Sequence, residues 1–203
     1  MVKQTLDKDL GRIEKIGTEA MHSSARYKAL ALAVLFLLIV WAFSASVTTA
    51  GEHSTLIIIA AIIGGYMALN IGANDVANNV GPAVGSRALT MFGALVIAAI
   101  FEAAGAILAG GDVVNTIQKG FINPSSMQNS EIFIWAMMSA LFAAALWVNI
   151  ATWVGAPVST THAVVGGVMG AGIAAAGFSI VDWGTMSAIA ASWVISPVMG
   201  GAI

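Results

Sequence analysis

The sequence predicts an all-α, polytopic membrane protein with about six membrane helices and two sites where a helix is broken or re-enters. Three observations carry this expectation. Hydrophobic residues fill 59% of the 203 positions and charged residues only 9%, against about 25% charged in a soluble domain; the mean hydropathy is +0.90. Apolar runs long enough to cross hydrocarbon recur along the chain. Between them stand two polar interruptions, Asn70 to Thr90 and Gly155 to His162. The 22 glycines fit the same class, because small residues let helices approach closely in lipid. There is no cysteine, which excludes disulfides, thiolate metal sites and cysteine nucleophiles. The net charge of −2 is uninformative, since the charges are unevenly placed.

Residues 1–28 form a separate arm in which Lys3, Lys8, Arg12, Lys15, Arg26 and Lys28 alternate with Asp7, Asp9, Glu14 and Glu19. Leu6, Leu10, Ile13 and Ile16 give it a weak helical stripe. A short cytoplasmic helix is expected, with a lipid-surface helix as the alternative. It is no signal peptide, because the apolar segment that follows is too long and no cleavage site is convincing. Residues 29–50 are uncharged and, at about 22 residues, long enough to span ~30 Å of hydrocarbon. They make an extra N-terminal transmembrane helix. Six basic residues precede it, so the positive-inside rule puts the N-terminus in the cytoplasm. Glu52 and His53 fall in a short outside turn.

Thr55 to Leu69 opens the second span, and its roughly fifteen apolar residues cover only ~22 Å. The polar stretch after it must complete the crossing, which places a helix break inside the membrane at Asn70–Asn79. Arg87 then marks the cytoplasmic end, as an interface anchor rather than an anion ligand. The third span, Ala88 to Ala109, contains Glu102 with no basic residue within a turn. That carboxyl must be protonated, paired with another helix or bound to a cation. Gly110 to Ser130 reads as an outside loop, opening with a short helical piece. Glu131 to Val154 is the fourth span, with Trp135, Trp147 and Trp153 near its ends. After the second break, Ala163 to Phe178 is dense in small residues and short for a span, which favours a helix pair meeting in mid-membrane. Asp182 and Trp183 mark a boundary, and Trp183 to Ile203 is the last helix, kinked at Ser196–Pro197. The end of the chain lacks a polar tail, so a fragment or the first half of a longer chain is expected.

The two interruptions carry the chemistry. An Asp at mid-helix in hydrocarbon costs about 2.5–3.5 kcal/mol, so Asp75 is expected to line a cavity or bind something. At a broken helix the free N–H end attracts anions, and the carbonyl end suits small cations. Asp75 adds a hard oxygen donor, and Asn70, Asn74, Asn78 and Asn79 add amide oxygens and N–H donors. Asn74 and Asn78, spaced i, i+4, face the same way. Such ligands suit a hard cation, not zinc or copper. Ser159, Thr160 and Thr161 follow Pro157 ahead of a new helix. That is also the composition of a plain N-cap, but two breaks and Glu102 together point to transport. His162 reads as a structural hydrogen-bond partner. A Ser159–His162 hydrolase is rejected, because G-x-S-x-G is missing and no oxyanion hole is visible; no enzyme is expected.

Gly72–Asn79 (GANDVANN) followed by Gly81–Ser86 (GPAVGS) resembles the signature of the inorganic phosphate transporter (PiT) family. Ile100–Gly110, Thr116–Gly120, Pro157–His162 and Ser192–Pro197 match further segments in order, so the resemblance covers roughly Ile57 to the end. It implies one half of an inverted-repeat transporter, with residues 55–203 as the first repeat and the second absent. It also implies alternating access with a sodium-coupled phosphate symport. Asp75, Asn74 and Glu102 would then serve the cation, and Ser159, Thr160, Thr161 and Asn78 the phosphate. Sodium is the expected coupling ion, with the proton as alternative; no further cofactor or metal is implied. Expected partners are inorganic phosphate, sodium, the lipid bilayer, a second repeat or partner half, and further copies in a homo-oligomer, with no nucleic acid. The expected location is a bacterial or archaeal inner membrane. The alternatives are a proton-coupled or metal–phosphate symporter, and a non-transporting membrane assembly or receptor subunit.

Overall fold

The computed structural model describes residues 27–119 and 130–203. The N-terminal arm before residue 27, and residues 120–129 of the expected outside loop with part of the Thr116–Gly120 motif, lie outside the described residues. Six helices are described: α1 Tyr27–Val47, α2 Ser54–Gly85, α3 Met91–Lys119, α4 Ser130–Trp153, α5 Thr160–Ala176 and α6 Trp183–Ala202. A 3-10 turn at Phe178–Ile180 joins α5 to α6. Five of the six are long and apolar enough to cross a membrane, and α5 is the shorter apolar one. The protein is therefore a multi-pass α-helical membrane protein. At 17 residues, α5 is only about 26 Å long. Large side chains such as Phe92, Ile107, Leu108 and Trp153 are exposed along these helices, as expected of surfaces whose solvent is lipid.

One expectation is corrected. The helix break at Asn70–Asn79 does not exist: α2 runs without interruption for 32 residues, from Ser54 through the whole polar stretch to Gly85. The physical reason is where the polar side chains send their hydrogen bonds. Asn74 and Asp75 bond sideways to residues beyond α4, so they do not compete with their own backbone for partners. Asn70 Nδ2 does bond the Tyr66 carbonyl one turn back, at 2.8 Å, but a carbonyl has two lone pairs and keeps its helical bond. The helix ends at Gly85, and Arg87 just beyond it takes the left-handed region with φ 62°. At about 48 Å, α2 exceeds the hydrocarbon thickness. The third helix also outruns its expectation: the short helical piece after Ala109 is simply the continuation of α3 to Lys119.

The second break is real, and its ends are built from the residues expected to build them. Gly155 takes φ 73° just past α4. Its N–H bonds Thr152 O at 3.1 Å and the next N–H, of Ala156, bonds Ala151 O at 2.8 Å. That pair of bonds is the Schellman motif, with glycine at the left-handed position. Pro157 lies two residues ahead of the cap, not in the first turn of α5. Ser159 is the N-cap, with Oγ accepting from His162 N at 3.2 Å. Asp182 caps α6 in the same way, accepting from Thr185 N at 3.0 Å. The backbone and side-chain hydrogen bonds from Thr185 hold its carboxyl below the usual aspartate range.

The chain divides into two compact units, Met1–Gly65 and Tyr66–Ile203. In the first, α1 lies against the start of α2, where a side chain on Gly65 would meet Val40 at 3.3 Å and Leu37 at 3.4 Å. In the second, α4 is the central element. Ala136 and Ala140 pack with Val165 and Val168 of α5, Ile180 and Val181 of the turn, and Met186 of α6. One further turn along, Ala144, Ala145 and Val148 pack with Met67 of α2. Alanines on α4 and glycines on α5 bring the two backbones together: a Cβ on Gly167 would sit 2.6 Å from Ala140 O. Gly170, on the same helix, meets nothing within 4 Å. Gly167→Ala is therefore expected to lower stability by about 1–3 kcal/mol through overpacking against a rigid carbonyl. Gly170→Ala should be neutral or stabilising by helix propensity. Thermal unfolding in detergent checks both; equal melting temperatures for the two variants would contradict the close approach.

Candidate functional site

Because α2 is continuous, its polar residues divide between two faces. Asn70, Asn74 and Asn78, spaced four apart, turn toward α4 and the break after it. Asn70 is 3% exposed, and its Oδ1 accepts from Asn149 Nδ2 at 2.9 Å. Asn74 is 5% exposed. Its Nδ2 donates to Thr152 Oγ1 at 3.0 Å and to Ala156 O at 3.3 Å. Its Oδ1 accepts from Asn78 Nδ2 at 3.2 Å and from Val158 N at 3.3 Å. Among the described residues no buried side-chain nitrogen or oxygen lacks a hydrogen-bond partner. These contacts meet the cost of carboxamides at this depth.

Next to this row, Thr160 Oγ1 donates to Asp75 Oδ2 at 2.5 Å. The two residues stand 85 positions apart in sequence, and the bond joins the second half of α2 to the first residue of α5. Thr160 is 7% exposed, while Ser159 and Thr161 on either side of it are exposed. The three hydroxyls of the second break thus hold different positions. Ser159 closes the helix N-terminus, Thr160 faces Asp75, and Thr161 points away from the packed side. A cavity of about 370 Å³ lies beside them, lined by Asn74, Ala77 and Asn78 of α2 and by Thr152, Gly155, Ala156 and Pro157. Asn78 is exposed to this space. The opening itself is lined by the amide groups of Asn74 and Asn78, and the Asp75–Thr160 bond lies one residue along α2 from Asn74.

Glu102 is not part of that cluster. It lines a separate cavity of about 390 Å³ between α2 and α3, shared with Asn79, Val80 and Phe101. Within this chain Glu102 is exposed to that cavity, on a helix long and apolar enough to cross a membrane. His162 has a structural partner, as expected, but it is a ring: its imidazole lies over Trp193 of α6 with centroids 4.0 Å apart. Since Ser159 Oγ meets the backbone N–H of His162 and not its imidazole, no Ser–His dyad forms.

Three site residues escaped the sequence reading: Asn149, Thr152 and Trp193. Asn149 had a usable signal, a carboxamide inside an apolar span, of the kind that marks intramembrane function. Thr152 had none, since a threonine in the last turn of a helix is commonplace. Trp193 looked like any aromatic of an apolar helix.

The model of the phosphate transporter family matches residues 71–203, which holds Asn74, Asn78 and Asn79 of α2, Asp75 and the whole second break. Two Helicobacter pylori proteins named "Putative phosphate permease" are 54% identical over 174 residues and 50% identical over 196 residues, 86% and 97% of this chain. A Thermococcus kodakarensis protein of similar name is 45% identical over 144 residues, 71% of this chain. The chain spans 33%, 36% and 36% of the lengths of these three relatives. A solved structure described as "The sodium-dependent phosphate transporter" is 49% identical and superposes with a TM-score of 0.70, covering 73% of this chain and 37% of that one. With a family model matched over more than half its length, on the residues that build the site, this chain belongs to the phosphate transporter family.

Proposed function

We propose that this chain forms part of a cation-coupled symporter of inorganic phosphate, with sodium as the coupling ion, working by alternating access. The observation that carries the reading is the Thr160–Asp75 hydrogen bond at 2.5 Å. Family membership and the sodium dependence in the description of the solved relative support it. In this reading Asp75 is the cation ligand, and Asn78, on the opening beside the break, serves the phosphate. Thr160 is the hydroxyl shared between cation and anion sites, and Ser159 and Thr161 flank it at the N-terminus of α5. Glu102 in its own cavity is a second carboxylate for a cation. The N-terminus of the chain lies on the cytoplasmic side of a bacterial or archaeal inner membrane.

The chemistry of coupling follows from one proton. A phosphate anion approaching within 4 Å of a charged Asp75 is repelled by about 4 kcal/mol even at an effective dielectric near 20. The Thr160 hydroxyl carries one proton, and that proton points at Asp75. A cation bound to Asp75 removes both obstacles at once: it cancels the charge, and it releases the hydroxyl to turn toward the anion. Backbone N–H groups at the start of α5, with the helix dipole behind them, complete the anion site. Cation binding therefore precedes phosphate binding. Two sodium ions with one monoanionic phosphate carry a net charge of about +1, so a potential of 100 mV favours entry by about 2.3 kcal/mol.

Asp75→Asn is expected to abolish sodium-dependent phosphate uptake in membranes carrying the protein while membrane insertion is retained. Uptake at the wild-type rate would refute the cation role. Replacing sodium by choline should stop uptake by the unmodified protein; uptake that persists and follows a pH gradient would make the proton the coupling ion. Thr160→Val keeps the shape of the side chain and removes its proton donor, at about 1–3 kcal/mol for the stranded carboxylate. It should lower uptake by at least tenfold, whereas Thr160→Ser should retain most of it. Equal uptake by the Val and Ser variants would show that the hydroxyl plays no part.

A further inference from the structure

Resting on that reading of the site, we infer that Asn74, with Thr152 behind it, is a positioning pair that seats the break between α4 and α5, and that Asn74 is not a cation ligand. A carboxamide has two N–H donors and two acceptor lone pairs. All four positions of Asn74 are taken: Thr152 Oγ1 and Ala156 O by the donors, Asn78 Nδ2 and Val158 N by the oxygen. A cation could reach Oδ1 only by displacing one of those two donors. Asp75, one residue along, engages Thr160 through Oδ2, which leaves its carboxylate as the ligand group at this level of α2.

Thr152 fixes which way the carboxamide faces. Its hydroxyl proton goes to Val148 O at 2.8 Å, so toward Asn74 it offers only a lone pair and requires the Nδ2 side. Val158 N–H is a donor and requires the Oδ1 side. A reversed amide would set donor against donor at Val158 and acceptor against acceptor at Thr152 and Ala156. The arrangement is thus keyed by three independent partners. Its effect on the backbone is specific. Pro157 has no N–H to give, and Asn74 grips the residues on both sides of it, the carbonyl of Ala156 and the N–H of Val158. Thr160 enters only two residues later, where its hydroxyl reaches Asp75. Loosening the grip at 156–158 therefore shifts Thr160 relative to Asp75, and with it the phosphate end of the site.

The test compares Asn74→Asp and Thr152→Val in the full chain, with Thr152→Ser as the conservative variant. Asn74→Asp keeps the acceptor oxygens and drops the two donors; Thr152→Val removes the lone pair that orients the amide. Both are expected to speed amide hydrogen exchange over residues 156–160 in the absence of phosphate, and to raise the phosphate KM by about tenfold through the lost buried hydrogen bonds. Thr152→Ser should recover most of both effects. A cation-ligand role for Asn74 predicts the opposite pattern: an unchanged phosphate KM with an altered sodium half-saturation in Asn74→Asp, and no effect of Thr152→Val. That pattern, or unchanged exchange over 156–160 in both variants, overturns the inference. Accelerated exchange in a protein that takes up no phosphate even in its unmodified form would uphold the positioning pair and reject the transport reading.

Discussion

The second compact unit depends on one constraint: polar side chains at the depth of a membrane helix must find partners within the protein, because lipid offers none. In α2 two of these partners are on the same helix, Tyr66 O for Asn70 and Asn74 Oδ1 for Asn78; the others are not. They lie on α4 and on the break that follows it, at Asn149, Thr152, Ala156, Val158 and Thr160. Satisfying the asparagines and Asp75 therefore forces two segments about 80 positions apart in sequence to meet. The contact that lowers the cost of burying these groups is the same contact that builds the candidate site.

Close packing makes that meeting possible. The short helix after the break can lie flat against α4 only because Gly167 faces the Ala140 carbonyl with no side chain between them. The alanines of α4 on that side, at 136, 140, 144 and 145, are buried and add no bulk. In hydrocarbon there is little hydrophobic gain from bringing two helices together, so dispersion contacts over a close backbone approach carry the association. With α5 held in this way and its N-terminus capped by Ser159, Thr160 has a fixed place from which to reach Asp75.

The geometry also separates tasks that look alike in composition. Ser159, Thr160 and Thr161 are three adjacent hydroxyls, yet one caps a helix, one bonds a carboxylate and one is exposed. Asn78 and Asn79 are adjacent carboxamides, yet they line different cavities. A helix turns about 100° per residue, so neighbours in sequence are seldom neighbours in space. One face of α2 meets α4 and the break after it, and the other meets the carboxylate on α3.

Composition alone determined the class of fold, because a chain with 9% charged residues cannot hide its apolar surface from water. Hydropathy located α1, α4 and α6 to within a few residues, while α2 and α3 run on past their apolar runs. Glycine, proline and serine placed the second break correctly, since their effects on the backbone are local: Gly155 supplies a positive φ and Ser159 a capping oxygen. The family motif singled out Asp75 and the Ser159–Thr161 run. The tertiary structure decided the rest. Whether Asn70 to Asn79 interrupts a helix depends on where its side chains find partners, and those partners are supplied by α4 and the break, far along the chain. For the same reason the structure alone distinguished Thr160 from its neighbours, brought in Asn149 and Thr152, and set Glu102 apart from Asp75. Hydrogen-bond partners across helices are chosen by packing, and packing is a property of the folded chain.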